Sequence, residues 1–330
     1  MVQRPPMTPL AITMGDPAGI GPEIIARALV QRPDLRHEIV IAGDVPTLRR
    51  AFLAAGLPEG EFDPICVQAC RLERPVPVGR ISAQAGQAAA ECIAWAAQAA
   101  LKGDVSAVVT APIHKEALAA AGVPHPGHTE YLQALCAAHL GVPVDELPVR
   151  MMLSCPGLST VLVSIHVALR DALGMVTRQR VLQTLRITAD HCARCGTPGA
   201  RIAVAGLNPH AGEGGLFGRE ELDVIGPAVS DAQAMGLKAS GPHAPDTVFM
   251  RARQGEFDVV IAMYHDQGLI PVKLLGLEHG VNTTLGLPII RTSPDHGTAF
   301  DIAGTGQASP ASLLAAIDAA RQMVLGRAGA

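Results

Sequence analysis

Apolar positions along the chain follow two rhythms. Short, near-continuous runs at residues 10–14, 38–42, 105–110, 161–166, 201–207 and 257–263 read as strands covered on both faces. Longer stretches between them carry apolar residues at spacings of three and four. In residues 22–31 that face is Ile24, Ile25, Ala28 and Leu29; Pro22 suits a first helical turn and Glu23 the positive helix start. Residues 181–195 repeat the pattern with Leu182, Leu185, Ala189 and Cys192, and residues 311–325 with Leu313, Ile317, Ala320 and Val324. An Ala-rich helix is expected over residues 85–101. Strand and helix alternate over the whole length, which predicts an α/β protein with mostly parallel strands.

Composition narrows this. At roughly 150 residues per domain, 330 residues predict about two domains. Apolar residues at 48% against charged residues at 17% give a sizeable core and exclude disorder. Gly 34 and Pro 26 imply many tight connections. The net charge is −4 with no Lys/Arg run, so nucleic acid is not an expected partner. No apolar run reaches the roughly 18 residues of a membrane span. The N-terminal stretch reads as no secretory signal, its one apolar run being short and bounded by Pro9 and Gly15. Seven scattered cysteines, odd in number, argue against a disulfide framework, and a reducing cytoplasm is expected. The one CxxC, Cys192 to Cys195, has no second copy and lies partly on an apolar helix face, so both read as small hydrophobes.

Three histidines share a context: His166, His210 and His265 each sit at or just past the C-terminal end of an apolar run. In open α/β sheets ligands bind at that edge. Three imidazoles there would hold a divalent metal and leave a position free for substrate; otherwise they are unrelated loop residues. Gly-bearing turns follow His210 and His265. Two further Gly-rich segments stand out. Residues 15–23, GDPAGIGPE, join the first strand to the first helix but lack the GxGxxG spacing, so ligand loop and structural turn both stay open. Residues 291–306 form a polar connection long enough to be functional.

These segments, with TAPIHK (residues 110–115), GHTEYL (127–132), GLNPHAGEGG (206–215), YHDQG (264–268) and NTTLGLPIIRTSPDHGTAFDIAGTG (282–306), resemble the 4-hydroxythreonine-4-phosphate dehydrogenase (PdxA-type) family from about residue 10 to the C-terminus. The first and last are also similar to segments of isocitrate and isopropylmalate dehydrogenases. The resemblance implies two α/β/α lobes with an interlobe active site and a non-Rossmann mode of NAD binding. The expected lobes are residues 1–125 with 275–330 on the cofactor side, and 126–274 for metal and dimerisation. It further implies metal ligation by His166, His210 and His265, two from one subunit and one from its partner in a homodimer. Substrate contacts fall on His128, Thr129, Lys273, Asn282 and Arg291. NAD or NADP falls on His296, Gly297, Thr298, Asp301 and Ala303. Imidazoles suit Zn²⁺ or Co²⁺ better than Mg²⁺, which a substrate's oxygens still allow.

The expected reaction is NAD(P)-dependent oxidation of 4-phosphooxy-L-threonine to the 3-keto acid, then decarboxylation, in pyridoxal phosphate synthesis. Asp246 and Lys273 are the candidates for the base, and Asp246 is equally a turn former. A paralogue acting on 4-phospho-D-threonate or 4-phospho-D-erythronate is the close rival. A dihydrodiol dehydrogenase and a non-catalytic binding protein are the remote ones.

Overall fold

The computed structural model describes residues 8–328. The first seven residues of the stretch read as no secretory signal lie outside that range. The chain divides into two compact units, one reaching to Pro148 and resuming at Leu287–Val324, the other Val149–Gly286 with the residues from Leu325.

The first unit holds β1 (Leu10–Thr13), α1 (Gly21–Gln31), β2 (Ile39–Gly43), α2 (Val45–Ala54), β3 (Cys66–Gln68), α3 (Ala83–Lys102), β4 (Ala107–Thr110), α4 (Lys115–Ala120) and α5 (His128–Leu140). It ends with β11 (Arg291–Pro294) and, as far as Val324, α11 (Ala311–Ala328). Its strands run in the order β3-β2-β1-β4-β11, every pairing parallel. β1 and β4 are buried along their whole length, as strands covered on both faces must be. The Ser82 hydroxyl caps α3 by accepting the Ala85 N–H, and Gly103 ends the helix in the left-handed region. The alanines on α3 have a packing purpose. They bring its backbone so near α4 that a Cβ on Gly86 would lie 2.0 Å from the Ala117 carbonyl oxygen.

The second unit holds β5 (Arg150–Cys155), β6 (Leu158–Leu162), α6 (Leu169–Met175), α7 (Arg178–Arg194), β7 (Ile202–Ala205), α8 (Gly226–Ala234), β8 (Ala239–His243), α9 (Val248–Arg253), β9 (Val259–Ala262), α10 (His265–Gly276) and β10 (Val281–Leu285). Its order is β10-β5-β6-β9-β7-β8; the first three strands pair antiparallel and the rest parallel. Leu153, Leu158, Leu162, Val260, Ala262, Leu269 and Val272 form its core.

The unit boundaries differ from the expected 125/126 and 274/275. Helix α5 packs on α3, which keeps residues up to 148 with the first unit, and β10 pairs with β5, which keeps residues 275–286 with the second. The C-terminal residues also leave the first unit. Gly326 lies so close to the end of α7 that a Cβ there would be 2.1 Å from the Cys195 carbonyl oxygen. All seven cysteines carry free thiols, and burial pushes the Cys192 thiol up to about 12, which removes its thiolate character at neutral pH. Among the described residues no helix is long and apolar enough to cross a membrane.

Helix α7 buries His191. Burial, then the charges of Arg194 and Arg327, push its imidazole from 6.5 down to about 4. Between those values the unfolded chain binds a proton that the folded chain refuses. Stability is therefore expected to fall as pH drops from about 6.5 to about 4, by roughly 3 kcal/mol from this group. Thermal midpoints against pH should show a shallower slope in His191→Gln; equal slopes would remove this histidine from the effect.

Candidate active site

In the second unit the ends of β6 and β9 converge. The Val163 N–H donates to the Ala262 carbonyl (2.9 Å) and the Ser164 hydroxyl to the Met263 carbonyl (2.9 Å). This pairing carries the chain beyond the ordered strand to His166, four residues past the end of β6, where φ is 41°. His265 opens α10, and its ring centroid lies 5.5 Å from that of His166. Both line a cavity of about 270 Å³ with Leu169, Ala172, Tyr264 and Asp266. The His265 Nδ1 stands 2.7 Å from Asp266 Oδ1. A carboxylate on one ring nitrogen fixes the tautomer and leaves Nε2 with its lone pair, the usual support behind a metal-ligating histidine. Gln267 adds a brace. Its side-chain oxygen accepts the Met263 N–H (2.7 Å) while its amide donates to the Gly206 carbonyl (2.7 Å), tying the end of β9 to that of β7.

His210 stands apart from this pair. It lines a second cavity of about 770 Å³ with Leu207, Asp246, Phe249, Gln267 and Leu274, sharing Tyr264 and Asp266 with the first. Among the described residues no three His, Cys, Asp or Glu side chains converge as a metal site within one chain. One copy thus presents two imidazoles together and the third elsewhere. Asp246 is exposed in the same cavity as His210; Lys273 is exposed on α10, and Asn282 is half-buried on β10 opposite Leu153.

The first unit holds the other substrate candidates. Arg291 opens β11, beside β4, and is buried (3% exposed). Its guanidinium donates twice to the Thr110 hydroxyl, at 2.7 Å from Nη2 and 3.2 Å from Nε. Burial lowers it to about 10, and the Glu130 charge opposes the shift, so it stays cationic at neutral pH. His128 and Thr129 begin α5. Burial, then the Arg291 charge, hold the His128 imidazole well below the usual range, and its Nε2 is buried without a hydrogen-bond partner. A neutral imidazole with one orphaned nitrogen beside a buried guanidinium is a cradle for an anionic, hydroxylated ligand.

The two Gly-rich segments of this unit bind each other. The Ile20 N–H donates to the Thr298 carbonyl (3.0 Å), and the Glu23 carboxylate accepts from the Gly304 (2.8 Å) and Ala308 (3.1 Å) N–H groups. Arg27 donates to the Gly306 carbonyl. Gly15 is required by packing, at φ 74° with an added Cβ 2.4 Å from the Pro112 carbonyl oxygen. The Thr298 side chain packs under Gly19, where a Cβ would meet it at 2.9 Å. His296 and Ala303 are half-buried, and Gly297 and Asp301 exposed, on the anchored loop.

Sequence reasoning missed Thr110, Tyr264, Gln267 and Asp266 as site residues. It also missed Asp16, whose Oδ1 accepts the Ala18 N–H (2.8 Å) while Oδ2 is buried without a partner. TAPIHK and YHDQG contain four of the five, but only spatial neighbours give them roles.

The family model for pyridoxal phosphate biosynthetic protein PdxA matches residues 34–320. The chain is 49% identical to a 4-hydroxythreonine-4-phosphate dehydrogenase of Beijerinckia indica, covering 96% of this chain and 95% of that protein. It is 45% identical to a D-threonate 4-phosphate dehydrogenase of Salmonella typhimurium, covering 95% and 98%. The crystal structure of a 4-hydroxythreonine-4-phosphate dehydrogenase from Klebsiella pneumoniae superposes with a TM-score of 0.84 at 41% identity, covering 96% and 99%. With a match over most of its length and relatives of that identity, the chain belongs to the PdxA family and is a dehydrogenase acting on a CH–OH group.

Proposed function

We propose that the protein oxidises 4-phosphooxy-L-threonine with NAD or NADP and one divalent metal (Zn²⁺, Co²⁺ or Mg²⁺) per site, with decarboxylation to 3-amino-2-oxopropyl phosphate, in pyridoxal phosphate synthesis. It works as a cytoplasmic homodimer. The observation that carries the substrate class is Arg291, a buried cation beside the orphaned His128 Nε2. The name of the Beijerinckia relative supports the L-threonine derivative; that of the Salmonella relative supports 4-phospho-D-threonate as the second reading.

The donor set fits a metal of the zinc type: imidazoles, one of them backed by a carboxylate. Because His166 and His265 adjoin and His210 does not, the reading that completes the set takes His210 from a second copy. When bound, the metal and cofactor supply Lewis acidity that lowers the substrate hydroxyl's pKa, and a nicotinamide that accepts hydride. Arg291 neutralises charge on the phosphate dianion, and the guanidinium fork sets its orientation. The neutral His128, with Thr129, hydrogen-bonds the polar substituents. Asp246 and Lys273 are the two groups for the hydroxyl proton, Asp246 sharing a cavity with His210. His296, Gly297, Thr298, Asp301 and Ala303 hold the cofactor on a loop that Glu23 and Arg27 keep in place.

The test is NAD(P)H absorbance with 4-phosphooxy-L-threonine, 4-phospho-D-threonate and 4-phospho-D-erythronate side by side, with each metal and after chelation. Highest kcat/KM on the L-threonine derivative, lost on chelation, is expected. Preference for a D-acid would make the protein a catabolic paralogue. Activity on non-phosphorylated dihydrodiols alone would overturn the substrate class.

A further inference from the structure

The turn that carries His210 is built against the ordinary preference of the chain. His210, Ala211, Gly212, Glu213 and Gly214 follow one another in the left-handed region, with φ of 52°, 54°, 79°, 45° and 68°, and Gly215 continues at 100°. Glycine adopts such angles freely, but each L-residue there costs about 1–2 kcal/mol. Three of the five non-glycine residues with positive φ among the described residues lie in this one turn, and His166 is a fourth. Strain concentrated in this way persists only where the surroundings over-determine it.

Glu221 supplies that determination. It is buried (4% exposed), and its carboxylate lies inside the bend of the chain. Oε1 accepts the N–H groups of Leu207 and Asn208, both at 2.7 Å, and Oε2 accepts the Asn208 side-chain amide at 3.0 Å. The backbone closes around it: a Cβ on Gly206 would lie 3.1 Å from Oε1, and one on Gly212 only 2.7 Å from Oε2. Burial alone would raise this carboxyl; the hydrogen bonds from Asn208 and Leu207 outweigh it and hold the group below the usual range, so it is an anion. The two glycines flank His210, and the charge they enclose fixes the segment from Gly206 to Gly212.

We propose that Glu221 is a positioning residue, whose buried carboxylate holds the left-handed turn that presents the His210 imidazole to the metal. The proposal rests on the reading of His210 as a ligand. A support of this kind is worth about 10- to 100-fold in metal affinity.

The experiment measures Zn²⁺ affinity of the full-length protein by competition with a chromophoric chelator, and the visible absorption of the Co²⁺ form, in wild type, Glu221→Gln, Ala211→Gly and the double variant. Circular dichroism of the metal-free proteins checks that each is folded. Glu221→Gln is expected to bind Zn²⁺ about 10- to 100-fold more weakly, with an altered Co²⁺ band. Ala211→Gly relieves strain in the turn, so it should recover part of that affinity in the double variant and change little in the wild-type background. A merely structural role for Glu221 would show no such recovery. If Glu221→Gln does not fold, Glu221→Asp, which keeps the charge one methylene shorter, enters the same comparison. Equal Zn²⁺ affinity in wild type and the Glu221 variant, or a loss that Ala211→Gly leaves untouched, overturns the proposal. A wild-type protein that binds no Zn²⁺ overturns the reading of His210 itself, and is told apart by that first measurement.

Discussion

Alanine at His166, His210 or His265 is expected to cut turnover by about 10³-fold or more, about 4 kcal/mol of transition-state stabilisation, while NAD binding is retained. Retention of full metal-dependent activity by His210→Ala would remove that histidine from the site. A sharper form of the prediction uses mixed dimers. His166 and His265 adjoin within one chain and His210 does not, so a shared site takes the first two from one copy and His210 from the other. Differently tagged His210→Ala and His166→Ala chains, co-expressed and purified as the mixed dimer, then rebuild one intact site of two. About half the wild-type activity should return. The mixed dimer of His166→Ala with His265→Ala should stay inactive, because each site carries one of the two lesions. Inactivity in both mixtures would mean that each site draws its histidines from a single chain. Recovery in the second mixture alone would mean that His166 and His265 serve different sites.

The second large effect is expected at Arg291. Arg291→Lys keeps the charge but loses the planar fork that donates twice to the Thr110 hydroxyl. A lost charge-assisted hydrogen bond is worth about 1.5–3 kcal/mol, so kcat/KM for the phosphorylated acid should drop by about 10- to 100-fold, mainly through KM. Steady-state kinetics of the variant against wild type check this; an unchanged KM would take Arg291 out of phosphate recognition. Arg291→Met allows a separate readout. Burial is the main cause of the low His128 pKa and the Arg291 charge the lesser one. The imidazole should therefore titrate higher in Arg291→Met yet remain neutral at pH 7, as followed by its NMR shifts.

The strands that could be read directly, β1, β2, β4, β7 and β9, are those whose burial is carried mainly by Val, Ile, Leu and Ala, whereas β6, LSTVL, was expected at residues 161–166 and instead runs Leu158–Leu162 with Thr160 buried. β10 and β11 were not legible. Their sequences, VNTTL and RTSP, are polar, yet Thr283, Thr284, Arg291, Thr292 and Ser293 are buried. Burying a polar side chain costs free energy unless a partner satisfies it, and for two of these residues that partner is remote in sequence. The Thr292 hydroxyl donates to the Ala316 carbonyl at 2.8 Å, and Arg291 meets Thr110 from 181 residues away. β8, ASGPH, contains a proline and lacks the alternation of a strand.

The site divides in the same way. The types and order of the chemical groups lay in the sequence: three histidines at strand ends, Arg291, and two Gly-rich loops within motifs specific enough to carry a family resemblance. The sequence could also determine the mostly parallel α/β architecture, because apolar periodicity is a local property of the chain. Only the tertiary structure decided which groups meet. It set His166 beside His265 and left His210 in another cavity. It gave GDPAGIGPE a structural task, with Glu23 pinning the 304–308 backbone. It moved His128 into the unit of Arg291, where burial and a neighbouring charge make its imidazole neutral. It enclosed the Glu221 carboxylate in a left-handed turn that no local preference favours. Each of these depends on desolvation and on contacts between distant residues, which the composition and periodicity of a single strand or helix do not encode.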